Sequence, residues 1–346
     1  MDKIKIGIVG LNFGKYIIED ILSGLASEYF QLAAVCDMDA PKVGAMAEKT
    51  GARAFTNLDD LLRTDLPAIG LYTGPVGRAG LIRQIIRAGK DVITTKPFEL
   101  DPVAALDILH EAQSLGRIIH LNSPGPLPSD DHRQIELWRE KYNLGRPVGA
   151  RAATWASYRE TANGAWYDDP KNCPVAPIFR LGIYMINDLV RIFGPADRVQ
   201  VMQTRLFTGR PTSDNAQLGI QFKNGALASV FASFCIDDGI PYTDALELNF
   251  EKGTIQRNFG RVALGKVDKS TTLLSLVRNS GGGRPVIEHA EVQGMSGQYQ
   301  WEAFARAVRS GGPLEGEISP DLVVAGLKII TAMSRSEESG RPEEVA

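Results

Sequence analysis

The first 120 residues alternate between short apolar runs and amphipathic runs, and this alternation restricts the fold more than any other feature of the 346-residue chain. IKIGIV (4–9), FQLAAVCD (30–37), ARAF (52–55), PAIGLYT (67–73), DVITTK (91–96) and RIIHLN (117–122) read as strands. Between them FGKYIIEDILSGLA, PKVGAMAEKTG, NLDDLLRT, GRAGLIRQIIRAGK and PVAALDILHEAQSLG carry apolar residues at helical spacing. Strands joined through helices run parallel, and a parallel sheet has to be covered on both faces. Six such strands predict a doubly wound α/β Rossmann sheet of the kind that binds nucleotides.

The pattern changes at SPGPLPSDD (123–131), whose Pro, Gly and Asp content marks a boundary between residues 1–125 and 126–346. Beyond a helix near 132–142, strands dominate. LGIQFKNGALASVFASF predicts a hairpin on a two-residue Asn224-Gly225 turn, and DALELNFEKGTIQRNFG a second one turning near Lys252-Gly253. One apolar helix over 179–194 and two more near 297–310 and 320–339 complete an α+β domain, while SGGGR (280–284) reads as a loop. A large, mostly antiparallel sheet with helices on one face leaves the other face open. A second copy of the chain is expected to cover it, as a homodimer or homotetramer.

Charge and composition remove several function classes. With 38 Lys and Arg against 41 Asp and Glu, a formal charge of -3 supplies no global attraction for nucleic acid or an anionic membrane. Cys36, Cys173 and Cys235 are odd in number and far apart, which argues against a disulfide framework or a Cys-based zinc site. His110, His120, His132 and His289 show no metal-binding spacing, so no metal is expected. The N-terminus lacks a signal-peptide core and no run approaches the roughly 20 apolar residues of a membrane span, so a cytoplasmic location is expected.

The first strand ends in Gly10-Leu11-Asn12-Phe13-Gly14, which opens the first helix. Backbone N–H groups and the positive helix end there suit a pyrophosphate. Asn12 stands where GxGxxG has its second glycine, and Gly14 comes one residue early. Asparagine tolerates left-handed geometry, so Asn12 is expected to keep the turn, at the cost of crowding the phosphate. Asp37 ends the second strand, where an acid hydrogen-bonds the adenosine ribose and repels a 2′-phosphate. It favours NAD over NADP. The plainer alternative, a turn or helix-capping aspartate, suits Asp39 better.

AGKDVITTKPFEL (88–100) is similar to the AGKHVxxEKP signature of the Gfo/Idh/MocA oxidoreductases, the glucose–fructose oxidoreductase and inositol dehydrogenase family. DLPAIGLYTGPVGRAGLIRQIIRAGK, WYDDP (166–170), LGIYMINDLVRIFG (181–194) and the ending WEAFARAVRSGGPLEGEISPDLVVAGLKIITAMSRSEESGRP extend the resemblance over nearly the whole chain. It implies a Rossmann domain beside an open-faced antiparallel sheet, substrate between them, and hydride exchange between a nicotinamide and a sugar or cyclitol carbinol. It also implies that Lys96 contacts the substrate hydroxyl and the nicotinamide region, with Pro97 following it. Thr73 falls at a strand end toward the cofactor, and Asn122 on a family asparagine. Asn187 stands where the family often has Asp, and Trp166 is a candidate to stack on a sugar ring or to pack in the core.

Three positions depart from the family pattern. Thr95 replaces the Glu before the lysine, and Arg180 and Tyr184 stand where D-x-G-x-H has its Asp and His. Tyrosine keeps a hydroxyl able to move a proton, but a free tyrosine titrates near 10. Lys96 and Arg180 are therefore expected to favour the phenolate and poise Tyr184 as acid–base group. Arg180 also suits a substrate carboxylate, against the alternative of an ion pair with Asp188 or a loop carboxylate. Loss of the family acids leaves two other classes open, a non-redox cofactor-binding regulator and a lyase or hydrolase that uses tightly held NAD for transient oxidation.

Overall fold

The computed structural model describes residues 2–157, 159–258 and 271–346. The last two residues of the second predicted hairpin, 259 and 260, lie outside them. The chain divides into two units, Met1–Leu127 with Tyr299–Pro320, and Pro128–Gln298 with Asp321–Ala346.

In the first unit the predicted strands form β1 (Ile4–Val9), β2 (Phe30–Cys36), β3 (Arg53–Phe55), β4 (Ala68–Leu71), β5 (Asp91–Thr94) and β6 (Ile119–Leu121). They alternate with α1 (Leu11–Ser23), α2 (Ala40–Thr50), α3 (Leu58–Leu62), α4 (Arg78–Arg87) and α5 (Pro102–Ser114). All pairings are parallel, in the order β3-β2-β1-β4-β5-β6, which is the doubly wound arrangement. Every residue of β4 and β5 is buried, as strands covered on both faces require. Local chemistry sets the helix ends. Asp39 accepts from Lys42 N at 3.0 Å to cap α2, and Gly51, with φ 73°, ends it.

The second unit holds α6 (Asp130–Lys141), α7 (Ile183–Phe193) and strands β7 (Pro147–Ala156), β8 (Ala196–Thr204), β9 (Asn215–Phe222), β10 (Leu227–Ser233) and β11 (Tyr242–Phe250). It continues with β12 (Gly253–Arg257), β13 (Thr271–Asn279), β14 (Pro285–Gln293) and β15 (Glu343–Glu344). These make a nine-stranded sheet in the order β14-β13-β12-β11-β7-β10-β9-β8-β15, antiparallel except for β7 against β10. Alternate residues of β9, β10 and β13 are buried, and those between them are mostly partly exposed. On the covered side Phe193 of α7 meets Phe222 and Phe250 edge-on, with ring centroids 5.4 and 6.0 Å away.

Two details differ from the sequence reading. The β9–β10 connection is a three-residue loop: Gly225 N donates to Phe222 O around Lys223-Asn224, and Gly225 takes the left-handed position at φ 89°. Residues 299–320, read as part of the second half, belong to the first unit. They carry α8 (Trp301–Ser310), and then α9 (Pro320–Ser339) runs through the second unit. The amphipathic face of α8 explains its placement. Trp301 and Phe304 pack on Phe30 of β2 at 5.5 and 5.6 Å, Trp301 Nε1 donates to Asp20 Oδ2 at 2.6 Å, and His120 pairs with Glu317 at 2.9 Å.

A charged cluster is buried in the second unit. Arg257 of β12 donates to Asp131 of α6, to Asp188 of α7, both at 2.7 Å, and to Ser296 Oγ at 3.0 Å. His132 lies 3.1 Å from the other Asp188 oxygen. Burial pushes the Asp188 carboxyl up, but Arg257, His132 and Ser296 outweigh it and hold it well below the ordinary carboxylate range. A depressed carboxylate contributes its stability in full above the unfolded value of about 4, and loses it as pH falls through the folded value. Arg257→Leu takes the shared guanidinium from the buried Asp131 and Asp188, leaving Asp188 only His132 and Ser296, and is expected to cost about 3–5 kcal/mol near neutrality. Denaturant titrations from pH 7 toward pH 4 should show the gap from wild type narrowing as the orphaned acids protonate.

Candidate active site

At the carboxyl edge of the first sheet, β1 leads into Gly10, which has φ 86°. A Cβ on Gly10 would stand 2.7 Å from the Tyr72 carbonyl carbon and 2.9 Å from Thr73 N, so only glycine fits. Asn12 departs from its expected part: it lies within α1 and is not left-handed, because Gly10 alone makes the turn. Its Oδ1 accepts from Lys42 Nζ of α2 at 2.9 Å. Gly14 allows α1 to approach the sheet, since a Cβ there would meet Ile8 Cγ2 at 2.9 Å. Phe13 stays 43% exposed at the helix start, its ring 5.8 Å from that of Tyr72.

Asp37 reaches across to this turn. Its Oδ2 accepts from Leu11 N at 2.8 Å and its Oδ1 from Asp39 N at 3.1 Å. A carboxylate has about four acceptor positions, so two are left for a ligand. The first-turn N–H groups of α1, the tight Gly10 turn and the Asp37 carboxylate together fit a dinucleotide.

The loops after β4, β5 and β6 converge next to it. Arg78, 2% exposed at the start of α4, is the common partner of the first two. Its guanidinium donates to Thr73 O, to Thr95 O at 2.8 Å, to Pro97 O at 3.1 Å and to Gly74 O at 3.3 Å. Burial brings it down to about 10, still charged at neutral pH, with Glu99 among the groups that oppose the fall. Asn122 Oδ1 accepts from Lys96 N at 3.1 Å and from the Thr95 hydroxyl at 3.4 Å. Asn122 thus fixes the backbone of the lysine segment. Thr73, Lys96, Pro97 and Asn122 therefore form one cluster, and Arg78, which the sequence reading missed, organises it. A single arginine after Gly77 carries no motif that marks such a role.

In the second unit Tyr184 is the second residue of α7. The backbone of Gly297, φ 91°, lies against its ring, where a Cβ would come within 2.8 Å of Cδ1. The neighbouring Ser296 hydroxyl donates to Asp188 Oδ2 at 2.7 Å, so the buried Arg257 cluster anchors the segment on which the Tyr184 ring rests. Asn187 turns its amide oxygen toward Gly326 of α9, where a Cβ would stand 2.0 Å away. Trp166 is half-buried against Tyr167 and Phe179, at 5.5 and 6.1 Å.

Arg180 sits in a π-helical turn, Ile178–Gly182, which continues into α7. Such turns recur at functional sites. Its Nη1 donates to Glu160 Oε2 at 2.7 Å, and its guanidinium lies over the rings of Tyr167 and Phe234 at 4.3 and 4.8 Å. The loop carboxylate, and not Asp188, is its acidic partner here. A guanidinium matched in this way lowers a neighbouring phenol less than an unmatched one. The sequence reading also missed Glu160 and its second cation, Arg210, at 2.9 Å.

The chain matches the oxidoreductase family with NAD-binding Rossmann fold over residues 4–123 and the GFO/IDH/MocA C-terminal domain over residues 132–256. An inositol 2-dehydrogenase of Rubrobacter xylanophilus is 28% identical over 118 residues, which span 34% of this chain and 33% of that protein. Among solved structures, one described as an NADPH-dependent oxidoreductase of Desulfitobacterium hafniense has a TM-score of 0.80 at 18% identity, covering 100% of this chain and 98% of the other. The WlbA dehydrogenase of Bordetella pertussis, solved with NADH and UDP-GlcNAcA, has a TM-score of 0.73 at 17% identity, covering 100% and 99%. At these identities the two structures speak for the fold.

Arg78→Met removes the donor to several carbonyls at once, and hydrogen bonds to charged groups are worth about 1.5–3 kcal/mol each. The variant is expected to lose about 3 kcal/mol in denaturant titration and to weaken NADH binding, followed by fluorescence, at least tenfold.

Proposed function

The chain belongs to the Gfo/Idh/MocA oxidoreductase family, and on that premise we propose that it transfers hydride between a nicotinamide and a carbinol carbon. The substrate is a sugar, sugar acid or cyclitol, with Tyr184 as acid–base group and Lys96 assisting. The observation that carries this reading is the convergence of the Gly10 turn, Thr73, Lys96 and Pro97 at the carboxyl ends of β1, β4 and β5, where open α/β sheets take their ligands.

Gly10, Asn12, Phe13, Gly14, Asp37, Thr73, Lys96 and Pro97 would hold the cofactor. When bound, the nicotinamide supplies the hydride acceptor or donor. Asp37 favours NAD, because its carboxylate accepts from ribose hydroxyls and repels a 2′-phosphate. The remaining chemistry belongs to the protein. Oxidation of a carbinol needs its hydroxyl proton removed, and the Tyr184 phenolate takes it in this reading, becoming the phenol. The Lys96 ammonium favours the phenolate and holds the substrate oxygen. Arg180, already matched by Glu160, acts on the substrate more than on the phenol. Asn187, Trp166 and Asn122 complete the set of substrate residues, Asn122 through its hold on the Lys96 backbone. The partly exposed face of the nine-stranded sheet takes a second copy of the chain.

Two measurements test the reading. Tyr184→Phe should lower kcat for oxidation by about 10²–10⁴ and remove the acidic limb of its pH–rate profile, where the base becomes protonated; unchanged turnover removes Tyr184 from the mechanism. Asp37→Ala should narrow a preference for NADH over NADPH by about tenfold, or 1.4 kcal/mol. Tight cofactor binding with no turnover on any sugar or sugar acid would favour the regulator, and product without net NADH the lyase or hydrolase.

A further inference from the structure

Glu160 lies in an irregular, largely exposed stretch, with its side chain 31% exposed, yet its carboxylate sits between one partly buried and one buried guanidinium. Arg180 approaches Oε2 at 2.7 Å and Arg210 at 2.9 Å, with side chains 16% and 3% exposed. Both arginines have contacts besides Glu160: Arg210 a second carboxylate, Arg180 two aromatic rings. Arg210 pairs with Asp168 at 3.1 Å, and Asp168 is itself fixed by the N–H groups of Asn163 and Gly164, each at 2.8 Å. Both guanidiniums lie over the Tyr167 ring, at 4.3 and 4.9 Å, and Arg180 over Phe234 as well. Arg210 also donates to the Thr161 carbonyl at 3.0 Å; this contact, like the Asn163 and Gly164 N–H groups on Asp168, lies in the same irregular stretch as Glu160.

The cations are thus built in from behind, while the anion comes from the exposed side. We infer that Arg180 and Arg210 form a subsite for a substrate carboxylate, and that Glu160 fills this subsite until the substrate displaces it. Charge favours a carboxylate over a phosphate. Two arginines against Glu160 and Asp168 sum to zero, and a departing Glu160 leaves a single positive charge. A monoanion restores neutrality; a dianion overshoots in a half-buried place. Two guanidiniums also match the paired oxygens of a carboxylate. Arg180 precedes Tyr184 by four residues on one continuous helical run, nearly a full turn, so neighbouring side chains there are about 6 Å apart at Cβ. This inference rests on the proposed function for the reacting carbinol and narrows its substrate to a hydroxy acid, such as a sugar acid.

The test begins with Glu160→Ala in the full-length protein. Emptying the arginine pair should make its Tm rise with millimolar acetate and not with acetamide, while wild type responds to neither. Adding Arg210→Met to Glu160→Ala should abolish the acetate response. Glu160→Gln, which keeps the side-chain volume, gives the same comparison if the alanine variant does not fold. Gluconate should bind Glu160→Ala at least tenfold more tightly than wild type, because the internal competitor is gone. A Glu160→Ala protein indifferent to acetate, or an acetate response that survives loss of Arg210, overturns the subsite. Nicotinamide absorbance with NAD is then followed on gluconate, galactonate and glucuronate beside glucose and myo-inositol. Turnover of acids over neutral compounds supports the inference, and equal turnover overturns it. Acetate and gluconate binding without turnover of any compound would leave the subsite standing and overturn the oxidoreductase reading instead.

Discussion

One buried guanidinium governs the carboxyl edge of the parallel sheet. Strand ends in a doubly wound sheet leave carbonyl groups beyond the last ladder bond, and where loops fold back over one another those carbonyls lose water. Arg78 answers this for two neighbouring loops at once, with Thr73 on one side and Thr95 and Pro97 on the other. The arrangement constrains Lys96 from both flanks, since the carbonyls around it are tied to Arg78 and its own N–H is tied to Asn122. A long, flexible side chain can act at a defined place only if its Cα is fixed, and here the backbone carries that burden.

The second unit solves a related problem with a different balance of charge. Arg257 joins α6, β12 and the Ser296-Gly297 segment through carboxylates and a hydroxyl, and that segment then supports the Tyr184 ring. In both units a buried arginine spans pieces of chain distant in sequence. Neither contacts a reacting group in the proposed mechanism; each sets the frame around one. Glu160, by contrast, faces one arginine already paired with Asp168 and another already packed on two rings, so it is the most exposed member of its cluster.

The fold was readable in the sequence because each element follows from a local rule. The period of apolar residues gives β1 to β6 and their helices, Asp39 and Gly51 mark the ends of α2, and Asn224-Gly225 marks a hairpin. Errors arose where tertiary contacts decide. The three-residue β9–β10 loop needed the hydrogen bond from Gly225 to Phe222, and α8 needed Phe30 as a partner before its unit was evident. The candidate site was half readable. Gly10, Asp37 and Lys96 stand in motifs whose spacing carries their chemistry, whereas Arg78, Arg210 and Glu160 stand in none. Their roles depend on which side chains meet across 17 to 50 residues of intervening chain, and no pattern of neighbours encodes that.

The placement of residues 299–320 has a consequence for how the molecule comes into being. The path passes from one unit to the other at 127/128, returns at 298/299 and leaves again at 320/321. The sheet that receives α8 is therefore complete long before the helix that seals Phe30 and Ala26 has left the ribosome. For most of synthesis the nascent first unit carries an unsealed apolar wall, and only the last quarter of the chain closes it. The two units are laced together by their own backbone, so neither is a separable module that could be cut out, exchanged or inherited alone without taking a strand of the other with it.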